Sequence, residues 1–406
     1  MASSGKNPLT LLCLASYEKG HAFLSEAKRQ GCRVLLLTSE SLKETAKFPH
    51  EAIDEIYYMP DVDKKWDRQH TLHAISHLAR SAKIDRIVPL DDFDLETAAA
   101  LREHLRIPGM GETTTRYFRD KLAMRVRAAD RGIKVPEFIG VIHHPDVDAF
   151  CRKVRPPWVL KPRFLAGAVG IRKMASADEV WETVNSLGDE QSNYVLEHYI
   201  PGDIYHVDSI ISERKVVFTM VSRYGAPPMD VAQSGGIFTT ATLSRRSIEF
   251  RMLQSANRAV MKGMGMVRGV SHTEFIRAKD GAFYFLETSA RVGGAHIVEL
   301  IEAATGINLW AEWAKIEIAG ESGKYRPPKA RDESAALLVS LARQEWPDLS
   351  VFSAPEVCWK LEKKNHVGLI VRSKDRERVQ QLLGEYAQII ERDFHASMAA
   401  PDRPTA

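Results

Sequence analysis

The stretch Ser271–His296, SHTEFIRAKDGAFYFLETSARVGGAH, carries two acids, a hydroxyl and an arginine at spacings that suit chemistry. Thr273 to Ala278 alternates as a strand, Lys279-Asp280-Gly281 is a turn, and Ala282 to Thr288 is the return strand. Glu274 and Glu287 then face each other across the pair, with Ser289 and Arg291 just beyond. Two carboxylates this close repel unless a cation lies between them. Oxygen ligands of this kind suit a divalent ion such as Mg²⁺, which takes phosphate oxygens as further ligands. The alternative is a hairpin with two solvated glutamates. A second candidate lies upstream. Val159-Leu160-Lys161-Pro162 ends a strand in a lysine, and Gly167 and Gly170 follow in a loop whose backbone N–H groups can wrap phosphate oxygens. The lysine precedes the glycines and no G-K-[ST] follows, so this is not a Walker A loop.

Several elements must position these residues. Leu9–Ala15, Val34–Leu37, Glu55–Met59 and Arg86–Leu90 read as strands, separated by helical patterns at about 18–30 and 66–82 and followed by one at 95–104. That alternation predicts βαβ units and a parallel sheet with helices on both faces. The turn after the first strand, Ser16 to Gly20, lacks G-x-G-x-x-G, which argues against a dinucleotide site there. Asp91, Asp92 and Asp94 follow a strand end and read as solvated loop acids. Thr113 to Arg131 reads as one capped helix containing Asp120-Lys121. Strands are expected at Asn193–Ile200, Ile204–Ile211 and Lys215–Tyr224, and Gly225–Gly236 reads as a loop able to fold over a site. From about Lys324 a smaller unit follows, with strands at Ser334–Ala342, Glu356–Glu362 and Gly368–Arg372 and a helix at Asp375–Arg392; Ala399–Ala406 is expected to fray.

The 406 residues are too many for one simple core, and 44% hydrophobic with 27% charged content is that of a soluble globular protein. A net charge of +3 points to no nucleic-acid or membrane surface. No apolar run approaches the roughly 20 residues that span a bilayer. The apolar run near the start reads as a first strand rather than a signal peptide. Cys13, Cys32, Cys151 and Cys358 form no C-x-x-C pair, which fits reduced thiols in the cytoplasm.

Four separated elements together resemble the ATP-grasp carboxylate–amine ligases: Asp120-Lys121, Val159-Leu160-Lys161 before the Gly-rich loop, Glu197-x-x-Ile200-x-Gly202, and Glu274…Glu287-x-Ser289-x-Arg291-x-Gly293-Gly294. The match covers about residues 8 to 320 and is nearest to the biotin carboxylase, carbamoyl-phosphate synthase and amino-acid ligase branch. The resemblance implies an α/β (α+β) chain: a Rossmann-like domain at 1–111, an ATP-grasp domain at 112–323 (a smaller lid-bearing part at 112–195 and a larger part at 196–323), and a small α+β domain at 324–406. It implies ATP and Mg²⁺ (or Mn²⁺) as cofactors. Lys121, Lys161, Gly167 and Gly170 would meet phosphates, and Glu197, His198 and Ile200 would form the adenine hinge. Glu274, Glu287 and Ser289 would hold metal. Arg291, Gly293, Gly294 and His296 would face substrate, with Arg291 and Lys161 catalytic. The family often has Asn where Ser289 stands and Ser where Ala168 stands; Ile204 occupies its usual ribose-binding acid position, for which Asp203 is the substitute. The implied reaction joins a small-molecule carboxylate to an amine through an acyl phosphate. Alternatives are bicarbonate activation and a regulatory ATP-binding protein without turnover. The family is often dimeric, which sets a homodimer as an expectation.

Overall fold

The structure is a computed structural model that describes residues 8–322 and 324–397; the tail expected to fray lies outside them. β1 (Thr10–Ala15) and β2 (Arg33–Ser39) are almost entirely buried, the mark of strands covered on both faces. They pair in parallel with β3 (Glu55–Met59) and, past a short ribbon of β4 (Asp61–Val62) and β5 (Lys65–Trp66), with β6 (Arg86–Pro89), in the order β3-β2-β1-β6. Helices α1 (His21–Arg29), α2 (Arg68–Leu78) and α3 (Leu95–Leu105) belong to this unit. Gly20 turns the chain into α1 at φ 81°, where a Cβ would come within 2.5 Å of Leu90 Cδ1.

The single helix expected over 113–131 is two, α4 (Glu112–Arg116) and α5 (Lys121–Asp130). Asp120 leaves the helical region, and its carboxylate accepts the backbone N–H groups of Leu122 (3.0 Å) and Ala123 (3.4 Å). It is therefore an N-cap, and Lys121 becomes the first residue of α5. An antiparallel sheet follows, made of β7 (Phe138–Gly140), β8 (Trp158–Pro162), β9 (Arg172–Met174) and β10 (Tyr194–His198) in the order β7-β10-β8-β9. It is backed by α6 (His144–Lys153) and α7 (Ala177–Leu187) over its own core of Val147, Trp158, Leu160, Val180, Val184 and Leu196.

The third sheet has eight antiparallel strands: β11 (Gly202–Ser212), β12 (Lys215–Tyr224), β13 (Phe238–Thr242), β14 (Gly269–Ala278), β15 (Phe283–Ser289), β16 (Ser334–Leu341), β17 (Val357–Lys360) and β18 (His366–Ser373), ordered β15-β14-β11-β12-β13-β16-β18-β17. The segment expected to be a loop at 225–236 contains α8 (Pro228–Ser234), opened by Pro227-Pro228. α9 (Ile248–Met264) and α11 (Leu309–Ala319) pack on β11 and its neighbours, while α10 (Ile297–Thr305) reaches β16 and β18. The C-terminal strands extend this sheet: β16 pairs with β13 from Phe238↔Val339 to Ala241↔Ala336. With α12 (Arg376–Ile389) they also enclose a small core of Leu338, Phe352, Leu369, Val371, Leu382 and Tyr386.

Candidate active site

The three sheets border one cavity of about 870 Å³. Glu274 on β14 and Glu287 on β15 are direct register partners, and both line it. Lys121, at the start of α5, brings its ammonium 3.0 Å from Glu287 Oε2 and donates to the Leu165 carbonyl at 2.6 Å. One lysine thus links the acid on the large sheet to the Gly-rich loop. In that loop Gly167, Ala168 and Gly170 all have positive φ, at 70°, 60° and 71°. Gly167 faces open space and lines the cavity; Gly170 does not line it and packs against Pro162, where a Cβ would sit 2.9 Å from Cγ.

Glu197 is buried completely and serves as a shared anion. Lys161 Nζ donates to its Oε2 at 2.8 Å, and the wholly buried Arg125 lies at 2.9 Å from Oε1 and 3.1 Å from Oε2. Arg125 also donates to the Leu286 carbonyl and lies over the Phe285 ring. Burial pushes the Glu197 carboxyl up, but the charges of Arg125 and Lys161 outweigh it and hold the group at about 2. Glu197 therefore fixes Lys161 at the cavity wall. Arg125, absent from the sequence reading, is one helical turn from Lys121 on α5, a spacing that would have revealed it. Next to Glu197, the backbone N–H groups of His198 and Tyr199 go to the Glu137 and Pro157 carbonyls, while the His198 and Ile200 side chains line the cavity.

Asp92, read from sequence as a solvated acid, is almost fully buried and closes the cavity from the parallel-sheet side. Its Oδ2 accepts Arg291 Nε at 2.8 Å and lies 2.7 Å from Nη2, and its Oδ1 accepts the Ser289 hydroxyl. Burial raises the Asp92 carboxyl; the Arg291 and Arg119 charges and these hydrogen bonds bring it down to about 2. Arg291 is held protonated by the same pairing against its own burial. Ser289, expected beside metal, is thus engaged with Asp92. Asp94 accepts the Ser16 N–H on both oxygens, at 3.2 and 3.1 Å; burial first, then the Asp91 charge, raises it to about 7. Lys19 pairs with Asp91 at 2.5 Å.

Asp203 points the other way. It is exposed, 3.4 Å from Arg223, while its strand neighbours Gly202 and Ile204 line the cavity. Alternation along β11 turns the ribose substitute Asp203 to the face away from the one Gly202 and Ile204 present, and it does not line this cavity. Gly293 and Gly294 differ from each other. A Cβ on Gly293 would meet Ile297 Cγ2 at 2.8 Å and His272 Nδ1 at 3.0 Å, whereas Gly294 faces open space. Ala295 and His296 follow with φ of 49° and 65°, and the His296 ring lies 4.8 Å from the Trp359 ring of β17. The strained pair turns His296 toward the cavity it lines.

Glu274 and Glu287 offer hard oxygen donors on one wall, with Lys121, Lys161 and the Gly167 backbone opposite. That donor set fits a divalent cation beside a polyphosphate. Residues 154–299 match the ATP-grasp domain family. The chain carries an ATP-grasp domain. The domain's relatives include the L-arginine-specific L-amino acid ligase of Bacillus subtilis, 25% identical over 282 residues that make up 68% of this chain and 65% of that protein. The alanine–anticapsin ligase of Bacillus subtilis is 21% identical over 291 residues, 66% of this chain and 60% of its own length. The chain thus spans less than two thirds of these curated relatives. In fold, an L-amino acid ligase from Bacillus licheniformis superimposes with a TM-score of 0.77 at 17% identity, covering 98% of this chain and 100% of that one. A carboxyaminoimidazole ribonucleotide synthase solved with ATP superimposes at 0.71 and 13% identity, covering 95% and 99%. Among the described residues no helix is long and apolar enough to cross a membrane.

Proposed function

We propose that this ATP-grasp protein is an ATP- and Mg²⁺-dependent ligase that joins a small-molecule carboxylate to an amine, both supplied by amino acids or an amino-acid-like compound. The observation that carries the reading is the meeting, in one cavity, of the paired acids Glu274 and Glu287 with Lys121, Lys161 and Arg291. It is supported by the ligase activities named for the relatives.

On this reading Glu274 and Glu287 hold Mg²⁺, which would neutralise phosphate charge when bound. Lys121 and Lys161 meet the ATP phosphates, and the 165–171 loop lies over them. The carboxylate oxygen attacks the γ-phosphorus, ADP leaves, and the amine displaces phosphate from the acyl carbon while losing a proton. Such transfer needs positioning and charge stabilisation rather than an enzyme nucleophile. Arg291, a planar fork of donors held in place by Asp92, takes the phosphoryl oxygens of the acyl phosphate. Entering substrate shares or displaces the Asp92 partner. The four cysteines are free, and the proposal extends to a cytoplasmic enzyme. It also extends to a homodimer, which sedimentation tests.

The test is to incubate the protein with ATP and Mg²⁺ and a matrix of amino-acid pairs, measuring ADP, phosphate and coupled product. The expected result is stoichiometric ADP, phosphate and dipeptide with a subset of pairs. ADP release driven by bicarbonate alone, or nucleotide binding with no turnover for any pair, would overturn the reading.

A further inference from the structure

Behind Glu274, on the same face of the large sheet, lies a group of buried ionisable residues. The register of β11 with β14 sets His206 opposite Glu274 and Asp208 opposite His272, and the period of two gives all four side chains one face. Asp208 bridges the rings: its Oδ2 is 2.6 Å from His206 Nδ1 and its Oδ1 is 2.8 Å from His272 Nδ1. The chain continues outward at both ends. His206 Nε2 is 2.8 Å from Thr240 Oγ1, whose proton goes to the Arg223 carbonyl. His272 Nε2 is 3.7 Å from Glu274 Oε1 and 3.4 Å from the Tyr224 hydroxyl, which itself donates to Glu274 Oε1 at 2.8 Å.

Donor counting fixes the Nδ1 protons. A carboxylate only accepts, so both rings carry a proton on Nδ1 and donate it to Asp208. Buried ionisable groups of this number cost stability compared with apolar packing, so their presence calls for a role beyond holding the sheet together. His272 touches both halves of the site: one edge approaches Glu274, and its Nδ1 would lie 3.0 Å from a Cβ on Gly293, so the Gly293 backbone packs closely against the ring.

We propose that His206, Asp208 and His272 are positioning residues that lock Glu274 Oε1 and the Gly293 backbone in the orientation that receives the divalent cation and the phosphoryl group. The proposal rests on the reading of Glu274 as a metal ligand. His206, Asp208 and His272 also offer ligand atoms within 4.8 Å of one another. The 2.6 and 2.8 Å separations, however, are hydrogen bonds from the two Nδ1–H groups to a carboxylate. An Nδ1 that carries a proton for Asp208 has no lone pair left for a metal ion.

The test is Mn²⁺ binding followed by electron paramagnetic resonance, with a non-hydrolysable ATP analogue present, in the full chain and in Asp208→Asn, Thr240→Val and Glu274→Gln. The expected result is a loss of Mn²⁺ affinity of about 10- to 100-fold in Asp208→Asn, a smaller loss in Thr240→Val, and the largest in Glu274→Gln, with metal-free analogue binding changed by less than about 2-fold. If Asp208→Asn fails to fold, Thr240→Val decides: weaker Mn²⁺ binding at an unchanged melting temperature supports the proposal, and wild-type binding overturns it. Wild-type Mn²⁺ affinity in Asp208→Asn while Glu274→Gln loses it overturns the positioning role alone. Wild-type affinity in Glu274→Gln overturns the metal-site reading and the proposal with it. One equivalent of transition metal in the purified protein, absent from Asp208→Asn, overturns it in favour of a metal centre.

Discussion

Replacing Glu197 by glutamine removes the anion shared by Arg125 and Lys161. Holding this wholly buried carboxyl at about 2 instead of its ordinary 4.5 corresponds to about 3 kcal/mol of stability at neutral pH. Breaking a buried ion pair by removing one partner is known to cost about 3–5 kcal/mol, because the remaining charge is uncompensated. Here two cations lose their partner, and the two figures agree. For an unfolding unit of the size of this domain, about 3 kcal/mol lowers the melting temperature by roughly 6–12 °C. The sign with pH follows from the depressed value. The stability is present above about pH 4.5 and disappears as pH falls toward 2, so the gap between wild type and Glu197→Gln should narrow in acid. Differential scanning fluorimetry from pH 3 to 8 measures both. A variant that melts within about 2 °C of wild type at pH 7, or a gap that does not narrow in acid, would refute the assigned role of the ion pair. Lys161, released from its tether, should also bind nucleotide more weakly.

Glu287→Gln should abolish ATP turnover while leaving the melting temperature within a few degrees, because this side chain is partly exposed to the cavity; calorimetry and an ADP assay read the two effects. Arg291→Lys keeps the charge but loses the planar fork, and turnover should fall about 10²–10³-fold with nucleotide affinity little changed. Asp94, raised to about 7, binds a proton in the folded chain that the unfolded chain releases near its ordinary 3.8. Stability should therefore decline as pH rises from about 4 to 7, by at most about 4 kcal/mol. Asp94→Asn should flatten that decline, as urea titrations at several pH values would reveal.

That Glu274 and Glu287 lie on adjoining strands was legible from the period-two patterns on both sides of Asp280-Gly281. The register of Phe275↔Phe285 continued regularly, however, would set Glu274 opposite Leu286. An irregularity between Glu274 and Phe275, which periodicity does not encode, brings the two acids together. The lysine at the end of β8 and the glycines after it were local signals of the same kind. Asp92 was not legible as a site residue. Its partners Ser289 and Arg291 lie 197 and 199 positions away, and no local pattern reports that the parallel sheet docks against the large one. The helix over 113–131 was overextended because the cap at Asp120 and its bidentate partner Arg163 interrupt an otherwise continuous apolar pattern. Asp203 looked like the displaced ribose acid because it is adjacent in sequence, yet one residue along a strand is the opposite face. The extension of the sheet from β13 to β16 skips almost a hundred residues of chain, which periodicity does not encode.

The most direct measurement follows the oxygen atoms. If a carboxylate is activated as an acyl phosphate, ¹⁸O placed in the amino-acid carboxylate must appear in the released phosphate, one atom per turnover alongside ADP. Labelled phosphate formed with the productive pairs is the predicted result. Unlabelled phosphate, or release of AMP and pyrophosphate in place of ADP, would contradict it.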